Sequence, residues 1–324
     1  TAFGADLTVV EEANEFLGRA KAGEKLPLFT SCCPAWVKFA EQYFPDLLPN
    51  LSSCKSPQSM MGALLHDQYD AAAEKEGKEY VVVSIMPCTA KKYEITRPEL
   101  SINGKPVVHH VLTTSELAAM IQEAGIRFAD LDPVSMDLPM GFASGAGIVF
   151  GNAGGVSEAV ARYVAGAPGA GGTHVLNFTD EVPGGGIRTA TLTVGEKSVR
   201  ITSVQGLANA KRVAREILEG KRETDIVEVM ACPGGCVGGA GQPISYDPEI
   251  KAKRAQGLQK ADTAKQLRTT QSNPFVDQFY RDVIKGEPGC HKAHELLHTT
   301  YRSKKRIGDL EISLVSGDAK EKVA

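Results

Sequence analysis

The sequence predicts an α/β fold with mostly parallel sheets flanked by helices, and two observations predict it. Three short apolar or β-branched runs, LPLFTSCC (26–33), YVVVSIMPC (80–88) and DIVEVMAC (225–232), each end on a cysteine. Runs of this length and composition suit strands buried on both faces. Helical patterns lie between them, so strand and helix alternate along the chain. In sheets of this kind ligands bind in the crevice outside the carboxyl ends of the strands, which is where all three cysteine segments arrive.

The first helix is predicted over 7–21, with Leu7, Val10, Phe16 and Leu17 as its apolar positions. Run 26–33 is the first strand. Residues 57–75 read as the next helix and 80–88 as the second strand. Thr113 and Glu116 have capping-box spacing, so a helix is expected over 114–124. Segment 164–187 (VAGAPGAGGTHVLNFTDEVPGGGI) is rich in Gly and Pro and reads as a long connection, with a hairpin following at TATLTVGEKSVRITSV. A helix over 207–219 then leads into the third strand. The tail beyond Arg302 is charged and expected to be peripheral.

The 324 residues are 42% hydrophobic and 23% charged, the composition of a soluble globular protein with a real core. A formal net charge of −3 gives no electrostatic footprint for nucleic acid. No apolar run approaches the roughly 20 residues that span a membrane. The seven cysteines are an odd number in a chain too large to need disulfide staples, which favours thiol or metal chemistry in a reducing setting. A cytoplasmic location is expected, with the periplasm as the alternative. The opening Thr1-Ala-Phe-Gly, with no initiator Met and no signal peptide, reads as a fragment or a processed chain.

Cys232-Pro-Gly-Gly-Cys236 sets two thiols in a glycine-rich turn, where backbone can approach a bulky inorganic ligand and offer N–H groups to its sulfurs. With Cys33 and Cys88 they make four strand-end thiols, the count of a cubane or a zinc site. Structural zinc usually takes paired ligands on short knuckles. Ligands spread over two hundred residues suit an iron–sulfur cluster gripped between lobes better. His294-Glu295-Leu296-Leu297-His298 matches the H-E-x-x-H pattern of zinc peptidases, but it lies near the C-terminus with no third-ligand signature, and a terminal amphipathic helix explains it as well. Glu12, Glu15 and Arg19 share a helix face, which spacing alone leaves as solvated surface. Lys91 could face a cluster or solvent. Cys54 and Cys290 read as spare thiols. Cys32, beside Cys33, cannot point the same way as its neighbour.

TSCCPAW (30–36), MPCTAKKYE (86–94) and EVMACPGGCVGGAGQP (228–243) resemble the three signature segments of the [FeFe]-hydrogenase catalytic domain, in order. The similarity runs from about Gly4 to about Arg302 and includes SGAGIVFGNAGGV (144–156). The resemblance implies one catalytic domain over 1–302, with 303–324 as tail. It implies two interleaved α/β lobes that hold an H-cluster in their cleft: a [4Fe–4S] cubane bridged to a two-iron unit carrying CO, CN⁻ and a dithiolate amine. By the same resemblance the cubane ligands are Cys33, Cys88, Cys232 and Cys236, the last bridging to the two-iron unit. Lys91 would hydrogen-bond a cyanide, and Pro57, Met86, Phe150 and Met230 would pack the two-iron unit. Cys32 would exchange protons with the amine, its ordinary thiol pKa near 8.5 serving both directions. The implied proton path runs from Cys32 through Glu12, Ser52 and Glu15 to Arg19.

The resemblance further implies H₂ and protons as substrates, maturation proteins that build the two-iron unit, and a redox partner such as ferredoxin or an accessory-cluster domain or subunit. The family also has a strand and a serine-containing loop before the position of Gly4, expected outside this chain. A non-catalytic relative, a hydrogen sensor or an iron–sulfur assembly protein, is the alternative within the family, and such relatives commonly lack the Cys32 thiol.

Overall fold

The computed structural model describes residues 1–166, 175–194 and 196–304. In chain order the elements are α1 (Ala2–Ala22), β1 (Leu28–Phe29), α2 (Pro34–Tyr43), α3 (Pro57–Glu76), β2 (Val83–Met86), α4 (Ala90–Glu94), β3 (His110–Thr113) and α5 (Thr114–Glu123). They continue with α6 (Gly145–Val149), α7 (Gly155–Val164), β4 (Thr179–Asp180), β5 (Ile187–Val194), β6 (Lys197–Gln205), α8 (Leu207–Leu218), β7 (Ile226–Met230), α9 (Ile250–Thr263), α10 (Pro274–Phe279) and α11 (His291–Leu297).

The strands form two sheets. One has the order β1-β7-β6-β5-β4, parallel at β1–β7 and β6–β7 and antiparallel across β4–β5–β6. The other is the parallel pair β2–β3. The α/β class and the predominance of parallel pairing agree with the sequence reading. So do the β5–β6 hairpin, whose turn residue 195 lies outside the described residues, and the capping box at Thr113 and Glu116, formed in both directions at α5.

Three expectations need correction. The run at 26–33 yields a strand of only two residues, because Thr30 already turns the chain toward Pro34, whose fixed φ starts α2. β7 is buried at every position, but β2 is not buried on both faces: Val81, Val83 and Ile85 are 48–60% exposed. An apolar run reports only that a face can be covered, and here one face of a two-stranded sheet is uncovered. Leu17 is exposed, and α1 instead starts at Ala2 and is buried along Phe3–Ala13, where it packs against α3, α6 and α7. That burial on all sides hides the amphipathic period on which the narrower 7–21 prediction rested.

Of the 164–187 connection, residues 167–174 lie outside the described residues, and Thr179–Asp180 forms an edge strand. Of the tail, 305–324 lies outside them as well. Lys304 is not peripheral: its Nζ is 3.2 Å from Glu41, which is buried and also held bidentately by Arg97.

Candidate metal centre

Each strand-end cysteine is carried by a different local device. Cys33 is the N-cap residue of α2, in extended conformation, with Pro34 at the first helical position. Cys88 lies two residues past β2 and just before α4, and Cys232 two residues past β7. The loop carrying Cys236 is stitched to both sides of the molecule: Cys236 N–H donates to Gly151 O at 2.9 Å, and Gly241 N–H donates to Pro87 O at 3.0 Å. Glycine is required there. A Cβ on Gly239 would stand 2.0 Å from Pro87 O, and one on Gly235, where φ is +85°, would stand 2.5 Å from Ala153 N.

These segments enclose a cavity of about 440 Å³. Cys32, Cys33, Cys88, Cys232, Cys236, Lys91, Pro57, Met86, Phe150 and Met230 all line it, so every residue that the sequence assigned to a cluster or its packing meets at one site. All the cysteines of the chain are free thiols. Burial pushes up the pKa of Cys33 and Cys232, and neighbouring thiols of the set add to each shift. The N–H groups of Ala231 and Trp36 oppose the shift at Cys33, and that of Ala240 opposes it at Cys232. Four thiols around one cavity, with backbone donors aimed at the sulfurs of Cys33 and Cys232, fit a polynuclear cation that takes all four as thiolates.

Cys32 packs against the cluster of Val9, Phe150 and Met230 and Cys33 against that of Phe29 and Trp36, so the two adjacent side chains diverge although both reach the cavity. Burial, and then the Glu12 carboxyl, push its pKa well above the ordinary thiol range. The expected value near 8.5 is therefore corrected: at neutral pH Cys32 is held as a protonated thiol. Lys91 is 9% exposed, its Nζ 2.5 Å from Glu94 and 3.2 Å from Cys32 O. Burial works against its charge, but Glu94 outweighs burial and raises its pKa.

The helix face that spacing left as solvated surface is mostly interior. Glu12 is fully buried, and neither of its oxygens has a conventional hydrogen-bond partner. Burial first, and then Glu15, raise its pKa to about 8, although the Ser52 hydroxyl lies close enough to temper the shift. Glu15 goes the other way. Burial disfavours its charge too, yet Arg19 at 2.6 Å, Ser52 Oγ at 2.8 Å and Ser53 N–H and Oγ lower its pKa on balance. Two carboxyls one turn apart are thus driven in opposite directions. One keeps a proton near neutrality while the other stays ionised. Arg19, 12% exposed, also donates to Leu51 O and Asn50 O.

Several participants escaped the sequence. Glu94, which fixes Lys91, is signalled only by its i+3 spacing. Gln58 lines the cavity with its Nε2 unpaired, while its Oε1 accepts from Ser84. Cys54 is not a spare thiol, since its Sγ lies 3.7 Å from Glu15 Oε2. Of the H-E-x-x-H residues, His298 lies just past α11, buried, with Nδ1 2.8 Å from Ser53 Oγ and Nε2 3.0 Å from Glu11. His294 is exposed and stacks on it with ring centroids 4.1 Å apart.

Residues 1–240 match the family model of the iron only hydrogenase large subunit, C-terminal domain. The chain belongs to this family. Residues 248–304 match a second model, the iron hydrogenase small subunit. The chain is 42% identical over 315 residues to the NADP-reducing hydrogenase subunit HndD of Solidesulfovibrio fructosivorans, covering 95% of this chain and 53% of that one. It is 37% identical over 306 residues to iron hydrogenase 1 of Clostridium pasteurianum, covering 93% of this chain and 53% of that one. It therefore spans about half the length of these curated relatives. A solved variant of the [FeFe]-hydrogenase HydA1 from Chlamydomonas reinhardtii superposes with a TM-score of 0.79 at 37% identity, over 94% of this chain and 84% of that one. Cytosolic iron-sulfur assembly component 3 of Rattus norvegicus is also related, at 30% identity over 319 residues, 95% of this chain and 66% of that one. Within this family the iron–sulfur reading replaces the zinc peptidase reading of the HELLH segment.

Proposed function

We propose that this chain is the catalytic part of an [FeFe]-hydrogenase that interconverts H₂ with protons and electrons. The observation that carries the reading is the Glu12 carboxyl, buried without a partner between Cys32 and an ionised Glu15. A cluster that only stores electrons or is passed on in assembly needs no such group, whereas a reaction that releases or takes up protons does.

The H-cluster, when bound, supplies the site of H₂ cleavage and the electron store. The chain would hold it by Cys33, Cys88, Cys232 and Cys236. Lys91, kept cationic by Glu94, would donate to an anionic ligand of the two-iron unit, while Pro57, Met86, Phe150 and Met230 exclude water around it. Cys32 would hold the proton at Sγ and pass it to Glu12. Glu12 carries it to the Ser52 hydroxyl, Ser52 to the Glu15 carboxylate, and Arg19 marks the outlet. Electrons would come from ferredoxin or an accessory-cluster domain or subunit, and dedicated maturation proteins would install the two-iron unit. We place the protein in the cytoplasm, and 1–302 in one catalytic domain.

The test is an infrared spectrum of the matured chain alongside an H₂-production assay. Metal-bound CO and CN⁻ bands together with H₂ turnover are expected. A four-iron chain with neither would assign it to the assembly-type relatives, of which one is 30% identical here.

A further inference from the structure

The H-E-x-x-H segment takes no part in the path just described, yet its His298 reaches that path. Ser53 Oγ lies 2.9 Å from Glu15 Oε1 and 2.8 Å from His298 Nδ1. The other ring nitrogen, Nε2, is 3.0 Å from Glu11 Oε2, and Glu11 Oε1 accepts from Tyr280 Oη at 2.5 Å. Glu11 and His298 are 1% and 8% exposed, and Glu11 also accepts from Gly289 N–H at 2.9 Å. Tyr280 forms part of the wall of a surface depression that Lys285 and Glu287 share. A file of hydrogen-bonding groups therefore leads from Glu15 to Tyr280, a buried residue whose side chain borders that depression, by a route that avoids Arg19.

We infer that Ser53, His298, Glu11 and Tyr280 form a second proton exit that branches from the main path at Glu15. The inference rests on the hydrogenase reading for the source of its protons. It does not rest on that reading for the connectivity.

The proton count supports a wire. Ser53 has one hydroxyl hydrogen and two neighbours that can accept it, Glu15 and His298 Nδ1. With the ring neutral and Nε2–H donating to Glu11, the hydroxyl donates to Nδ1. When Glu15 carries a proton, that proton moves to Ser53 Oγ as the hydroxyl hydrogen moves to Nδ1, and Nε2 releases its own to Glu11. One proton has then left Glu15 and one has reached Glu11, with Ser53 and the imidazole unchanged in charge. The Tyr280 hydroxyl donates to Glu11 Oε1 at rest, so release requires it to turn outward and the Glu11 carboxyl to present its proton; Tyr280 then accepts that proton as it gives its own hydrogen to water. Rotation of the Ser53 hydroxyl and return of the ring hydrogen from Nδ1 to Nε2 by proton exchange with solvent restore the starting polarity. Packing alone would be served as well by apolar residues, since buried ionisable groups are costly to keep.

Two measurements test this on the full chain. The first compares H₂ turnover in Arg19→Leu, Ser53→Ala and the double variant, with intact CO and CN⁻ bands as the control for the cluster. Parallel exits predict singles down about 2- to 5-fold and a double down about 10²-fold or more, beyond the product of the singles. A double equal to that product overturns the branch. The second reads solvent exchange of the buried His298 ring hydrogen by ¹⁵N NMR in the chain without its two-iron unit. Ser53→Ala combined with Tyr280→Phe, both of which keep the packing, should slow exchange by about 10-fold or more. Unchanged exchange overturns the wire, and this measurement decides the connectivity even if the chain turns over no H₂.

Discussion

Glu12 couples catalysis to stability with opposite signs. Its pKa of about 8 in the fold lies above the ordinary 4.5, so the fold penalises the ionised form. That penalty is absent below pH 4.5, grows as pH rises, and levels off above about 8. Glu12→Gln should therefore raise the unfolding free energy of the cluster-free chain by up to ~3 kcal/mol at pH 7, at ~1.4 kcal/mol per pH unit, with no gain near pH 4. Urea titrations at the two pH values measure this, and an equal effect at both would remove the assignment. The same variant should lose about 10²-fold or more in turnover, because an amide cannot release a proton. Cys32 and Cys33 should also separate. Cys33→Ala should lose iron and activity together, whereas Cys32→Ala should keep its iron and its CO and CN⁻ bands while losing about 10²- to 10⁴-fold in rate. Iron loss in Cys32→Ala would sink the division of labour. The cysteines were legible in the sequence because thiols in long glycine-rich motifs have few other uses. Glu11, Gln58 and Ser53 were not, because only the approach of distant segments gives them partners.

At the scale of elements, the loop of 232–241 works by having no side chains where it touches other backbone. Gly239 has an ordinary φ of −64°, so Gly239→Ala tests contact alone: its Cβ would meet Pro87 O, and the loop that joins Cys236 to the Cys88 segment must shift. A loss of about 1–3 kcal/mol in stability is expected, together with lower iron after reconstitution. Gly257, inside α9 with open space around it, is the control, and Gly257→Ala should gain about 1 kcal/mol. If both variants behaved alike, close approach would not be the reason for glycine at 239. Helices α3 and α5, with side-chain caps at Ser56 and Thr113, and α8, set between Gly206 and Gly220, were readable from the sequence because their signals are local. The exposure of β2 and the full burial of α1 were not, since covering a face is a property of what packs on it.

Across the whole molecule, the two family models meet at an exposed tether. Ile244 and Tyr246 are 93% and 101% exposed, between residues 1–240 and 248–304. The later piece is nevertheless bound deeply into the earlier one: Asn273 and Thr270 donate to buried Asp6, Arg162 pairs with Asp262, and Lys55 donates to Leu296 O. A chain ending at 247 would remove Lys55's Leu296 O and Glu11's Tyr280, Gly289 and His298, and would leave Asp6 with Ser144 and Arg162 with Glu158 but without Asn273, Thr270 and Asp262, a combined cost of several kcal/mol. It should therefore show no cooperative melt alone, and should recover both melt and iron binding when 248–324 is co-expressed as a separate chain. A cooperative melt and full iron content in residues 1–247 alone would refute this. On this expectation the covalent link is dispensable and the association obligatory. A single peptide-bond break there would turn an intramolecular fold into a heterodimer, and its second outlet for protons, with His298 and Tyr280 on one partner and Ser53 and Glu11 on the other, would open only on assembly.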